Sequence, residues 1–257
     1  MATNVPRLLI VDDEPDTCAN LLDIFVDLGY EVDVAYDGLA ALKLVEKNTY
    51  DVALLDLKMP GMDGLELYQR IRQLSAGTVA IVVTAYANSG TATSVLDSGA
   101  WKILSKPVDL PQLLGLVEQA LDEPLILVVD DDQDLCASLW DTLRDRSYRV
   151  CLANNLEDAT GRLKQREYNV VLIDMKLPEC DGSQILGKVR QMNPDARTIL
   201  ITGYRDEMEL RVQEALGNGA DAVCYKPFQM DKLLKTIGQL SIDPRTQIIE
   251  PGTRGTT

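Results

Sequence analysis

Four kinds of residue recur in a fixed order along this chain and could together handle a phosphoryl group. The pair Asp12-Asp13 closes the apolar run LLIV, Asp56 closes VALL, Thr84 closes AIVV, and Lys106 follows ILS. The order returns as Asp130-Asp131, Asp174, Thr202 and Lys226. Carboxylates brought together repel unless a cation joins them. Donors that are all oxygen favour a hard ion, Mg2+ or Mn2+. A lysine adds positive charge and a threonine hydroxyl adds a hydrogen-bond donor. Such a set would cradle a tetrahedral dianion carried on a carboxylate, which is aspartyl phosphate chemistry.

Composition narrows the other possibilities. The chain has no histidine, which removes Ser-His-Asp and Cys-His catalysis, imidazole-ligated zinc and any phosphohistidine formed within the chain. At 257 residues, 46% hydrophobic and 25% charged, it reads as globular rather than disordered. The net charge of −15 argues against nucleic acid or an anionic membrane surface as the main partner. No apolar run reaches the ~20 residues of a membrane span, and MATNVPRLLIVDDE lacks the apolar core of a secretory signal. The five cysteines have no CxxC spacing and read as reduced thiols packing as small hydrophobes, so a cytoplasmic protein is expected.

The elements that must position these residues are written twice. LLIVDDEPDTC at 8–18 reappears as ILVVDDDQDLC at 126–136, and YDVALLDLKMPGMDG at 50–64 as YNVVLIDMKLPECDG at 168–182. LSKP at 104–107 matches CYKP at 224–227 with two extra residues between Thr202 and Lys226. A period this long is a duplicated domain rather than a solenoid unit. The predicted domains are 5–121 and 125–240, and the polar tail 241–257 reads as disordered or as a severed linker. In the first copy RLLIVD, EVDVAY, DVALLD, TVAIVVT and AWKILS read as strands. Consecutive apolar positions mark them as parallel strands covered on both faces. Helical segments are expected near 15–28, 38–48, 63–75, 88–98 and 109–121, with Asp63 and Asp109 as N-caps. Five βα units predict a doubly wound α/β domain with helices on both faces. Such sheets bind ligands at the carboxyl ends of their strands, near the switch point, where all the residues above fall.

Each copy resembles a receiver domain of a two-component response regulator, on DLKMPGMDG after an apolar strand with VDDEPD upstream and LSKP downstream. The resemblance covers the two copies and implies two (βα)5 flavodoxin-like domains with strand order 2-1-3-4-5. It implies that Asp56 and Asp174 are phosphoacceptors. Mg2+ would be held by Asp12, Asp13, Asp56 and the Lys58 backbone oxygen, and by Asp130, Asp131, Asp174 and the Lys176 backbone oxygen. Lys106 and Lys226 would pair with phosphoryl oxygens, Thr84 and Thr202 would bond one of them, and the bonds to Pro107 and Pro227 would be cis. The donor would be a phosphohistidine on a sensor histidine kinase or histidine phosphotransfer protein. A homodimer through the face of helix 4, strand 5 and helix 5 is a further implication. The product would be a phosphorylated signalling module, with slow autodephosphorylation rather than enzymatic turnover.

The sequence departs from the family pattern in two places. Ile103 and Val223 stand where the family usually has an aromatic residue. Trp101 and Tyr225 lie two residues away, and strand alternation predicts that each shares a face with its neighbour. The two-residue insertion of copy two falls in RDEMELRVQEALGNG, at 205–219. Tyr86 and Tyr204 are candidates for the site rim, Met59-Pro60 and Leu177-Pro178 for shaping the adjoining loop, and Gly64 and Gly182 for a turn into helix 3. The start at Met1 reads as a native N-terminus. The alternative to a complete regulator is the receiver fragment of a longer one, with a cyclase or DNA-binding output, or of a hybrid histidine kinase. A haloacid dehalogenase-like phosphatase would need a second aspartate where Lys58 and Lys176 stand, and no GxGxxG follows strand 1 to support dinucleotide binding.

Overall fold

The computed structural model describes residues 5–75, 77–85, 99–178, 180–203 and 212–242. The chain divides into two compact units, 1–123 and 124–257. In the first, β1 (Arg7–Val11), β2 (Glu31–Ala35), β3 (Val52–Asp56), β4 (Val79–Thr84) and β5 (Lys102–Ser105) alternate with α1 (Pro15–Asp27), α2 (Gly38–Val45) and α3 (Gly64–Leu74), and α4 (Leu110–Asp122) closes the unit. In the second, β6 (Leu125–Val129), β7 (Arg149–Ala153), β8 (Val170–Asp174), β9 (Arg197–Thr202) and β10 (Ala222–Tyr225) alternate with α5 (Gln133–Arg144), α6 (Leu156–Gln165) and α7 (Gly182–Met192), and α8 (Met230–Ile242) follows. Residues 212–217 are also helical. The expected helix at 88–98 lies outside the described residues, as do Tyr86, Tyr204 and much of the insertion region.

Both sheets have the expected order, β2-β1-β3-β4-β5 and β7-β6-β8-β9-β10, and every pairing is parallel. The central strands are apolar throughout because both faces are covered. Leu9 and Leu55 pack toward α2 and α3, while Leu8, Ile10 and Leu54 pack toward α1 and α4. Fully burying one such side chain stabilises the fold by about 1.5–3 kcal/mol. The helix starts follow the sequence signals. Asp63 accepts from the Leu65 and Glu66 amides, Asp109 from the Gln112 amide, and Asp181 from Ser183 at the corresponding start of α7.

The strand leading into each site lysine is pinned differently in the two units. The Tyr68 hydroxyl donates to the Gly99 carbonyl at 2.9 Å, just ahead of β5. In the second unit Asp221, ahead of β10, is gripped by Arg190 and Arg197, each at 2.8 Å, and accepts from the Thr198 amide at 2.7 Å.

The expectation for Trp101 needs correction. Trp101 packs against the core on the α1 and α4 side, whereas Ile103 packs on the α2 and α3 side. Strand β5 begins only at Lys102, so the alternation that holds within the strand does not reach back to Trp101. Tyr225 does share a core with Val223, because both lie inside β10.

Candidate functional site

The carboxyl ends of β1, β3, β4 and β5 bring the first set of residues together. Strand β1 ends beside β3, with Val11 opposite Leu55. The next residue on each strand, Asp12 and Asp56, therefore reaches the same edge. Sheet order reverses between these two strands, which opens the crevice between the helix layers. Asp12, Asp13 and Asp56 each place a carboxylate oxygen so that all lie within 4.8 Å of one another, and Asp130, Asp131 and Asp174 do the same. Asp12 and Asp56 are buried, as are Asp130 and Asp174, while Asp13 and Asp131 are exposed at the mouth.

Lysine closes each cluster. Lys106 Nζ lies 2.8 Å from Asp12 Oδ2 and 3.1 Å from Asp56 Oδ1. Lys226 Nζ lies 2.8 Å from Asp130 Oδ2 and 3.3 Å from Asp174 Oδ1. The other oxygen of Asp12 accepts from the Glu14 amide at 3.0 Å, and that of Asp56 from the Lys58 amide at 3.2 Å. Thr84 is fully buried at the end of β4, and its carbonyl accepts from the Lys106 amide at 2.8 Å. Thr202 holds Lys226 in the same way at 2.7 Å. The Lys106–Pro107 and Lys226–Pro227 bonds are both cis.

Burial governs the charges here. It raises the pKa of the Asp56 carboxyl, against the opposing pull of Lys106. Asp174 is raised by burial and then by the charge of Asp130. Burial by itself would depress the Lys106 ammonium, but its hydrogen bonds to Asp12 and Asp56 prevail, and its pKa ends above the ordinary value. Lys226 behaves alike with Asp130 and Asp174. The lysines are therefore charged at neutral pH, and each cluster is a negative nest with one fixed cation. Its ligand atoms are oxygens of aspartate alone, a set that fits a hard divalent ion.

Gly64 and Gly182 have a steric reason that the sequence did not disclose. A Cβ on Gly64 would overlap the Asp56 carbonyl oxygen, and one on Gly182 would lie 2.7 Å from that of Asp174. Helices α3 and α7 thus begin directly against the peptide carrying the candidate acceptor. Gly64→Ala is expected to cost about 2–3 kcal/mol, the scale of overpacking against backbone. Thermal unfolding checks this, and an unchanged first unit would contradict it.

Among the described residues, sequence reasoning assigned no role in the site to Cys18 and Cys136. Their thiols donate to the carbonyls of Asp12 and Asp130, each at 3.3 Å. Recurrence of Cys at the same place in both repeats was the available signal. Burial pushes these thiols up to about 11 and about 12, respectively.

The family model for the response regulator receiver domain matches residues 8–118 and again 126–238. The chain belongs to the response regulator receiver family. A response regulator receiver protein of Anaeromyxobacter sp. (strain Fw109-5) is 31% identical over 245 residues, which is 95% of this chain and 99% of that protein. The sensor histidine kinase RcsC of Salmonella typhi is 43% identical over 106 residues, 41% of this chain and 11% of the kinase. The crystal structure of a CheY-like receiver domain protein from Methanospirillum hungatei JF-1 is 34% identical, covers 46% of this chain and 95% of its own, and has a TM-score of 0.45. Among the described residues, no helix of these receivers is long and apolar enough to cross a membrane.

Proposed function

We propose that each receiver accepts a phosphoryl group, the first on Asp56 and the second on Asp174, and signals through contacts that depend on the modification. The observation that carries this reading is the double pairing of one half-buried lysine with the candidate acceptor and the first aspartate of the acidic pair, repeated in both units. Asp12, Asp13 and Asp56, with the Lys58 backbone oxygen, would hold Mg2+ or Mn2+ in the first unit. Asp130, Asp131 and Asp174, with the Lys176 backbone oxygen, would hold it in the second. When bound, the ion would neutralise carboxylate and phosphoryl charge.

The residues do the rest by position. An Asp56 carboxylate oxygen attacks phosphorus in line, and an O–P bond forms as the bond to the donor's imidazole nitrogen breaks. The chain contains no histidine, so a protein donor of this type is another molecule, a histidine kinase or phosphotransfer protein. Lys106 moves from ion pairing with two carboxylates to neutralising the new phosphoryl oxygens. The product adds about −1.5 to −2 charges, which the Thr84 hydroxyl can bond, drawing the end of β4 inward. Thr202 and Lys226 would act likewise. Such a module turns over no substrate, works in the cytoplasm and could pair with a second copy through the face of the expected helix at 88–98, β5 and α4. Incubation with acetyl phosphate and Mg2+ tests the reading: intact mass should show two adducts, both removed by hydroxylamine. No adduct would reject it.

Lys58 and Lys176 are exposed two residues after each acceptor. Their ammonium groups would lean over the phosphoryl group by charge attraction and exclude attacking water. Lys58→Asn is expected to shorten the phosphoaspartate half-life of the first receiver several-fold. Equal decay of variant and parent would reject this role.

A further inference from the structure

We propose that Cys18 and Cys136 are positioning residues, each using its thiol to fix the peptide unit that joins the two aspartates of an acidic pair. The proposal rests on the reading of those pairs as metal ligands.

The geometry is the same in both receivers. Strand β1 ends at Val11, so the peptide unit between Asp12 and Asp13 lies beyond the ladder. The orientation of that unit sets the directions in which both carboxylates leave the backbone. The preceding unit is held by the Asp12 amide, which donates to the Ala35 carbonyl at 3.3 Å. The following one is held by the Glu14 amide on Asp12 Oδ1 at 3.0 Å. The joining unit itself is held by Cys18, whose Sγ lies 3.3 Å from the Asp12 carbonyl oxygen. In the second receiver the three contacts are Asp130 to Ala153 at 3.1 Å, Asp132 to Asp130 Oδ1 at 3.0 Å and Cys136 Sγ to the Asp130 carbonyl at 3.3 Å. A carbonyl only accepts, so the thiol donates.

Packing alone does not account for the residue type. Both thiols are buried, Cys18 at 0% exposure and Cys136 at 2%, where valine would fill similar space. The remaining cysteines, Cys151, Cys180 and Cys224, correspond to Asp33, Met62 and Leu104 in the first repeat. Cysteine is repeated only where its S–H meets the peptide between the two acids. A thiol is large enough to reach from the first turn of α1 to this carbonyl, apolar enough to sit in the core, and still a donor.

The test separates donation from packing in the full chain, with Asp130→Asn and Asp131→Asn silencing the second site. Free Mn2+ is counted by electron paramagnetic resonance, and thermal unfolding is followed without metal. Cys18→Val keeps the apolar volume and removes the donor. Its Mn2+ dissociation constant should rise about three- to tenfold, the scale of one net hydrogen bond, with little change in melting temperature. Cys18→Ser keeps a donor and buries a hydroxyl, so it should melt lower yet bind Mn2+ more tightly than the valine variant. Opposite rankings in the two measurements support the proposal. If affinity merely follows melting temperature, or valine binds Mn2+ like the parent, the thiol only packs and the proposal is overturned. If the parent binds no Mn2+, the metal-ligand reading fails, and this inference with it. Cys136→Val and Cys136→Ser, with Asp12→Asn and Asp13→Asn silencing the first site, repeat the test should Cys18→Val not fold.

Discussion

Asp56→Asn and Asp174→Asn should each lose one of the two phosphoryl adducts formed with acetyl phosphate and Mg2+, and the double variant should form none. An amide is isosteric with the carboxylate but is too weak a nucleophile to attack phosphorus. The fold should survive, because asparagine keeps an oxygen to receive Lys106 at the position where Asp56 Oδ1 now lies 3.1 Å away. Neutralising the residue also removes a carboxylate whose pKa is already raised by burial, so stability should hold or rise. Intact-mass analysis counts the adducts directly. An adduct on the double variant would overturn the assignment of the acceptors, whereas loss of both adducts in one single variant would mean that the other receiver reacts only when that acceptor is present.

Lys106→Met should slow phosphorylation of Asp56 by about 10²-fold, comparable to removing a preorganised charge-stabilising group, and leave Asp174 reacting at the parent rate. Methionine matches the length of the lysine stem but brings no charge. The variant leaves Asp12 and Asp56 facing each other within 4.8 Å with no protein cation between them. Time-resolved mass spectrometry on the single-acceptor variant Asp174→Asn reads the rate. An unchanged rate would show that the lysine is structural.

The same pair predicts a pH dependence with a definite sign. The folded-state pKa of Lys106 lies above its ordinary 10.5, so the folded chain holds this proton more tightly than the unfolded one. The contribution of the pair to stability is therefore complete below pH 10.5 and is lost as pH rises through the higher folded value. Parent and Lys106→Met should accordingly converge in stability as the pH climbs past 10.5. Chemical denaturation across that range checks the convergence.

Much of this architecture was legible in the order of residues. A strand covered on both faces must be apolar along its length, so LLIV, VALL and AIVV declared themselves, and a polar residue ending such a run must lie at the sheet edge. Asp12, Asp56, Thr84 and Lys106 were found on that principle, and the duplicated copy repeated the message. N-caps such as Asp63 were legible because capping is satisfied within three residues.

Information of that kind is local or periodic: which segments are strands, where each ends, and which chemistry those ends bear. Relations between distant residues emerged only on folding. Packing set Lys106 against Asp12 as well as Asp56, pressed the start of α3 onto the Asp56 carbonyl so that only glycine fits at 64, and turned Trp101 to the face opposite Ile103. It also aimed the Cys18 thiol at the Asp12 carbonyl, where composition suggested only a small hydrophobe. Alternation and capping act over a few bonds, whereas such contacts depend on how separate elements meet, and that is fixed by the whole close-packed core at once.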